Sequence, residues 1–100
     1  MSLAARGATY GNAISDEEFS VTGGSASALP TVPAGAVSAV VSVSGSDARY
    51  RMTGSNPTAS VGHLLVVGNQ VEVYINNLST FKIISTSGTD ADVFVTYYGN

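Results

Sequence analysis

From Ala36 to Tyr98 apolar residues recur at every second position in short runs, and each run ends at a cluster of Gly, Ser, Asn or Pro. A period of two is the spacing of a strand that buries one face. Ala36 to Ser44 is the first such run, with Val37, Ala39, Val41 and Val43 on one face and Ser38, Val40, Ser42 and Ser44 on the other. It reads as a core strand. Gly45-Ser46-Asp47-Ala48 turns the chain into Ala48 to Thr53, where Ala48, Tyr50 and Met52 alternate with Arg49 and Arg51, so the two arginines share a face. Gly54-Ser55-Asn56-Pro57 is a dense turn signal, followed by a short extended piece over Thr58 to Ser60. Gly62 to Val67 is again apolar, and Gly68-Asn69 stands where a hairpin turn would join it to Gln70 through Asn76. In that strand Val71, Val73 and Ile75 alternate with Gln70, Glu72, Tyr74 and Asn76. Phe81 to Ser85, a turn built on Gly88, and Ala91 to Tyr98 complete the series. In the last strand Ala91, Val93, Val95 and Tyr97 face one way, and Asp92, Phe94, Thr96 and Tyr98 the other. Aromatics on both sides predict that both are covered.

The first third is less regular. Met1 to Asn12 shows no period, as in a terminus ordered only by docking. Ser15 before Asp16, Glu17 and Glu18 resembles a helix N-cap with an acidic first turn, and the β-favouring Phe19, Val21 and Thr22 cut that pattern short. One helical turn at most is expected there, then a strand from Glu18 to Thr22. The predicted organisation is therefore a flexible N-terminal arm over residues 1–17 and a β-sandwich domain over residues 18–100. Ser25 to Gly35, with Pro30 and Pro33, cannot lie centrally in a sheet and suits an edge or a crossing loop. Seven or eight short strands with turns between them, and no helix-period segment, predict an all-β fold: an antiparallel β-sandwich or small barrel, with a jelly-roll-like topology favoured.

Composition adds a reason to expect assembly. Of the 100 residues, 44% are hydrophobic and only 11% charged, so the sheet edges and faces of a lone domain are poorly defended against pairing. The longest apolar stretch, Ala36 to Val43, is broken by Ser38 and Ser42, too short for the roughly 18 residues of a spanning helix, and no signal-like apolar core precedes it. A soluble chain without membrane contact is expected. Zero cysteines remove disulfides, thiolate nucleophiles and thiolate-bound zinc. Four scattered cations (Arg6, Arg49, Arg51 and Lys82) and a net charge of -3 do not make the basic stripe that displaces counterions from phosphates, so nucleic acid is not expected as a partner.

Candidate chemistry is thin. His63 is the single histidine, and a zinc site on it would need carboxylates for the rest of its shell. Serines and aspartates are plentiful, yet no G-x-S-x-G elbow selects a nucleophile. Asp90 and Asp92 lie two apart without the order of a calcium loop, and the glycines match no phosphate cradle. The expected protein is not an enzyme and has no cofactor, metal or catalytic residue. Two features fit contacts instead. Tyr10, Tyr50, Tyr74, Tyr97 and Tyr98 offer flat apolar faces with polar rims, suited to core packing, a subunit contact or a sugar platform. Arg49 and Arg51 suit bidentate pairing with carboxylates, either across an interface or within the chain at Glu72, Asp90 or Asp92. The candidate interface residues are thus Arg49, Arg51, Tyr74, Tyr97 and Tyr98.

Ala48-Arg49-Tyr50-Arg51, the run Asn56-Pro57-Thr58-Ala59-Ser60-Val61-Gly62-His63-Leu64-Leu65, Gly68, Phe81-Lys82-Ile83-Ile84 and Asp92-Val93-Phe94-Val95-Thr96-Tyr97-Tyr98 together resemble a pattern in small virion proteins of tailed bacteriophages. The resemblance covers about Ala36 to Tyr98. It implies a jelly-roll-like virion component, commonly a cement or decoration protein on the capsid surface, with no active site and with the arm before residue 20 reaching a neighbour. The expected partners are further copies of the chain, as a homotrimer, and the phage major capsid protein. The alternative expectation is a carbohydrate- or receptor-binding module of a phage tail fibre.

Overall fold

The computed structural model describes residues 12–99. Among them are β1 (Asn12–Val21), β2 (Ser27–Ala28), β3 (Ala36–Ser44), β4 (Ala48–Arg51), β5 (His63–Leu65), β6 (Gln70–Tyr74), β7 (Lys82–Ser85) and β8 (Ala91–Gly99), with one 3-10 turn at Ile75–Asn77. The pairing is nested like one long hairpin: β4 with β5, β3 with β6, β2 with β7 and β1 with β8, all antiparallel. Rolling that hairpin up brings β8 beside β3 and β7 beside β4. Two four-stranded sheets result, sheet I in the order β1-β8-β3-β6 and sheet II in the order β2-β7-β4-β5. They pack as a sandwich with the eight-stranded jelly-roll connection.

Alternation decides what fills the space between the sheets. Ala39, Val41, Val73, Val93, Val95 and Tyr97 from sheet I meet Ala48, Phe81 and Ile83 from sheet II, and all nine are 0% exposed. The residues between them in sequence point outward. At the end of β7 the inward position is a serine, whose hydrogen-bond partners come from the adjoining turns. Ser85 Oγ, 0% exposed, donates to the Thr89 carbonyl at 2.6 Å and lies 3.0 Å from Ser46 Oγ, which lies 3.0 Å from Ser87 Oγ.

Several sequence expectations change. The sandwich does not start at Glu18: Asn12 to Val21 is one strand, so the boundary drawn at residue 17 falls inside it, and no helical turn forms at Ser15. The nine-residue β8 supplies a hydrogen-bonding partner along the whole of β1, and those long-range bonds outweigh the local N-cap preference. Residues 1–11 of the expected arm lie outside the described residues. Gly68-Asn69 does not make a hairpin, because β5 and β6 belong to different sheets. The turn Val66-Val67-Gly68-Asn69, closed by Asn69 N–H to the Val66 carbonyl at 2.9 Å, carries the chain across the sandwich. Gly68 takes φ +94° at its third position, a conformation that costs glycine little.

Strict alternation puts Val37 with Ala39 on the core face. A bulge between Ala36 and Ser38 in the pairing with β8 puts Val37 out of register, half-buried, and Ser38 outward. Strand β6 stops at Tyr74 because Ile75–Asn77 winds into a 3-10 turn that buries Leu78 and leaves Ile75 exposed. Thr58 to Ser60 is not extended; reciprocal bonds between Thr58 and Val61 make it a tight turn.

Candidate interaction surface

Arg49 projects from the outer face of sheet II, since Ala48 and Tyr50 beside it face the core. Its Nε donates to the Ala59 carbonyl at 3.1 Å and its guanidinium to the Gly62 carbonyl at 2.9 Å. The forked side chain therefore pins the loop 52–62 across its own sheet. The intrachain carboxylate pairing considered from sequence does not form: Glu72 and Asp92 sit on the other sheet, and Asp90 sits in a turn. Gly62, at φ +132°, lies under this clamp, and an added Cβ would stand 3.0 Å from the Tyr50 carbonyl and 3.3 Å from Pro57 Cβ. Arg49→Lys keeps the charge but not the fork, so amide exchange in residues 52–62 is expected to rise by the equivalent of about 1 kcal/mol while β8 stays protected. Uniform loss of protection in both segments would contradict the clamp.

Arg51 is on the same outer face and stands directly opposite Lys82 in register. His63, exposed on the edge strand β5, packs its ring at a tilt 5.3 Å from Tyr50, which in turn stacks 5.5 Å from Phe81. Arg51, Met52, Thr53, Gly62 and His63 line a cleft of about 380 Å³. A larger groove of about 580 Å³ runs along Thr22, Gly23, Gly24, Ala59, Thr86, Ser87, Gly88 and Asp90. Neither brings a base to a nucleophile, and no group of His, Asp and Glu that could hold a metal occurs among the described residues.

The tyrosines divide between the layers. Tyr97 is 0% exposed and donates from its hydroxyl to Glu17 Oε2 at 2.5 Å; the same oxygen accepts the Thr31 N–H at 3.1 Å. Burial first, then the hydrogen bond to Glu17 and that residue's negative charge, push the Tyr97 phenol well above its ordinary pKa. Tyr50 is raised by burial. Tyr74 and Tyr98 instead share a row on the outer face of sheet I, on either side of Ser38. Ser38 is 1% exposed, and its hydroxyl has no hydrogen-bond partner. Tyr74 donates to Glu72 Oε1 at 3.1 Å. Tyr10 lies outside the described residues.

Arg49, Arg51, Tyr74, Tyr97 and Tyr98 are therefore not one site. Arg49 and Arg51 belong to the outside of sheet II, Tyr74 and Tyr98 to the outside of sheet I, and Tyr97 to the interior. What sequence reading missed is the apolar part of the exterior: Phe94 on the outer face of sheet I, and Leu64, Val66 and Val67 at the short β5 edge. The alternation of Leu64 with Leu65 was visible. Which leucine faces out depends on β4 supplying the register. No protein-family model, curated protein or solved structure matches this chain.

Proposed function

We propose that this protein is a structural component of a tailed-phage virion, a cement or decoration protein that oligomerises and bridges neighbouring subunits of the major capsid protein on the capsid surface. The observation that carries the reading is the exterior of the jelly roll. Phe94, Tyr74, Leu64 and Val67 stand 43–51% exposed around a sandwich in which neither of the two clefts above holds a paired acid, base or nucleophile among the described residues. Large apolar side chains held outward on strands and on the turn at Val67 fit contact with a protein surface better than life alone in water. A lattice then multiplies each weak contact, because an oligomer bound at one point meets its remaining sites at high effective concentration. The pattern from Ala36 to Tyr98 supports the phage assignment.

The test is sedimentation with empty capsids assembled from the major capsid protein of the phage that encodes this chain. Co-sedimentation that saturates at a fixed ratio to the shell subunit is expected, and one of Phe94→Lys, on the outer face of sheet I, and Leu64→Lys, on the outer face of sheet II, should reduce it at least about tenfold, marking the face that makes the contact. Absence of the protein from pelleted, intact capsids would remove the proposal. The second reading, a glycan- or receptor-binding module of a tail fibre, draws on Tyr74 and Tyr98 in one row of an outward face. Sugar-dependent quenching of tyrosine fluorescence that disappears in Tyr74→Ala would favour it.

A further inference from the structure

Among the described residues the fold sorts the outward-facing strand charges onto opposite sides. All the described Lys and Arg residues, namely Arg49, Arg51 and Lys82, project from the outer face of sheet II, where no strand residue is acidic. Asp16, Glu18, Glu72 and Asp92 project from the outer face of sheet I, because their neighbours Glu17, Val73, Ala91 and Val93 face inward. Among the described residues that face carries no Lys or Arg. The row Glu18, Phe94, Ser42, Gln70 crosses its middle, with Phe94 46% exposed at the centre of the acidic surround.

The basic side carries a second irregularity. Arg51 and Lys82 are directly opposed on β4 and β7, which places their Cβ atoms about 5 Å apart, and like charges in that arrangement repel. Neither has a carboxylate partner on its own sheet. Leu64, 51% exposed, projects from the same face beside Arg49.

We propose that the outer face of sheet II is a docking surface for the outer face of sheet I of a second copy of this chain, with Arg51 and Lys82 set against the carboxylates around Phe94. Opposite charge and an apolar residue on each face make the two surfaces complementary, while each face repels its own likeness. The contact is heterologous. Because the two faces lie on opposite sides of one sandwich, each added copy presents the same free pair of faces, and the assembly grows by stacking unless a rotation between copies closes it. This contact gives a form to the self-association in the proposed function and rests on that part of it, and a face used for stacking is covered against the capsid except at the ends of a stack.

Charge reversal in two separate chains tests it. One chain carries Arg51→Glu and Lys82→Glu; the other carries Asp16→Lys, Glu18→Lys and Asp92→Lys, so in each chain the two faces carry net charge of the same sign, with the loop clamp Arg49 and with Glu72 left in place. Sedimentation velocity of the wild-type protein at about 10 mM salt should show concentration-dependent association, weakened at least tenfold at about 0.5 M salt, where charges beyond a few ångströms are screened. Each reversed chain alone should be monomeric, with an unchanged far-ultraviolet spectrum. The two mixed together should associate again. Self-association of either reversed chain, a monomeric wild type at low salt, salt-independent association, or failure of the mixture to associate would each overturn the proposal. Capsid binding by a wild type that stays monomeric would sink the stacking contact and the self-association in the virion reading, and leave attachment to the capsid standing.

Discussion

Phe81→Ala is expected to remove about 3–5 kcal/mol of folding stability, the range found when a buried aromatic ring is truncated in a core that cannot collapse around the gap. Phe81 is 0% exposed, and its ring stacks on Tyr50, which carries His63 on the strand beyond. Its N–H is also tied to the Asn77 carbonyl at 2.9 Å, so the backbone cannot slide to fill the space. Urea denaturation should show the loss as a lower midpoint with little change in slope. The near-ultraviolet signal of Tyr50 should weaken even where the variant remains folded. Phe81→Leu, which keeps most of the volume, should cost less than half as much. Equal effects from alanine and leucine would mean that the ring is not packed as described. A domain of this size has only about 5–15 kcal/mol to lose, so the alanine variant sits near the threshold of folding.

Alkaline pH should destabilise the protein through Tyr97, and Tyr97→Phe should remove much of that dependence. In the unfolded chain a tyrosine ionises near pH 10, whereas in the folded protein burial and Glu17 hold the Tyr97 phenol protonated to higher pH. The native state then binds more protons than the unfolded state, so stability is complete below about pH 10 and falls as pH rises above it, by about 1.4 kcal/mol per pH unit for each proton withheld. Tyr50, also raised by burial, adds a share in the same direction. Near neutral pH the phenylalanine variant should be less stable by about 1.5–3 kcal/mol, because a hydrogen bond to a charged carboxylate is lost. Above pH 10 the difference should narrow, since the wild type alone pays the linkage at this position. Denaturation midpoints measured between pH 7 and about pH 11 check both parts. Parallel curves for the two proteins would show that Tyr97 does not report through its phenol.

Legibility followed how local each signal was. The strands Ala36–Ser44 and Ala91–Gly99 were readable because apolar residues recur at every second position from Ala39 to Val43 and from Ala91 to Tyr97. Asn12–Val21 was not, because Asp16, Glu17 and Glu18 have low strand preference and the partner that makes them a strand lies some eighty residues away. The Gly68-Asn69 turn was correctly located and wrongly interpreted, since a turn sequence fixes the bend but not the sheet to which the next strand goes. Among the candidate contact residues, Arg49 and Arg51 were correctly placed on one face. Their tasks differ because the loop 52–62 returns over only one of them.

The sequence by itself determined that the chain is built of short antiparallel strands, which residues alternate, and that chemistry based on cysteine or a histidine cluster is excluded, because each of these depends on residue type and spacing alone. Tertiary structure decided the nesting of the strands, the inward turn of Tyr97 toward Glu17, the clamp made by Arg49, and the separation of acid from base onto opposite faces. Those properties arise from contacts between residues far apart in the chain, and a period of two states only that a strand has two sides, not which neighbour each side will meet.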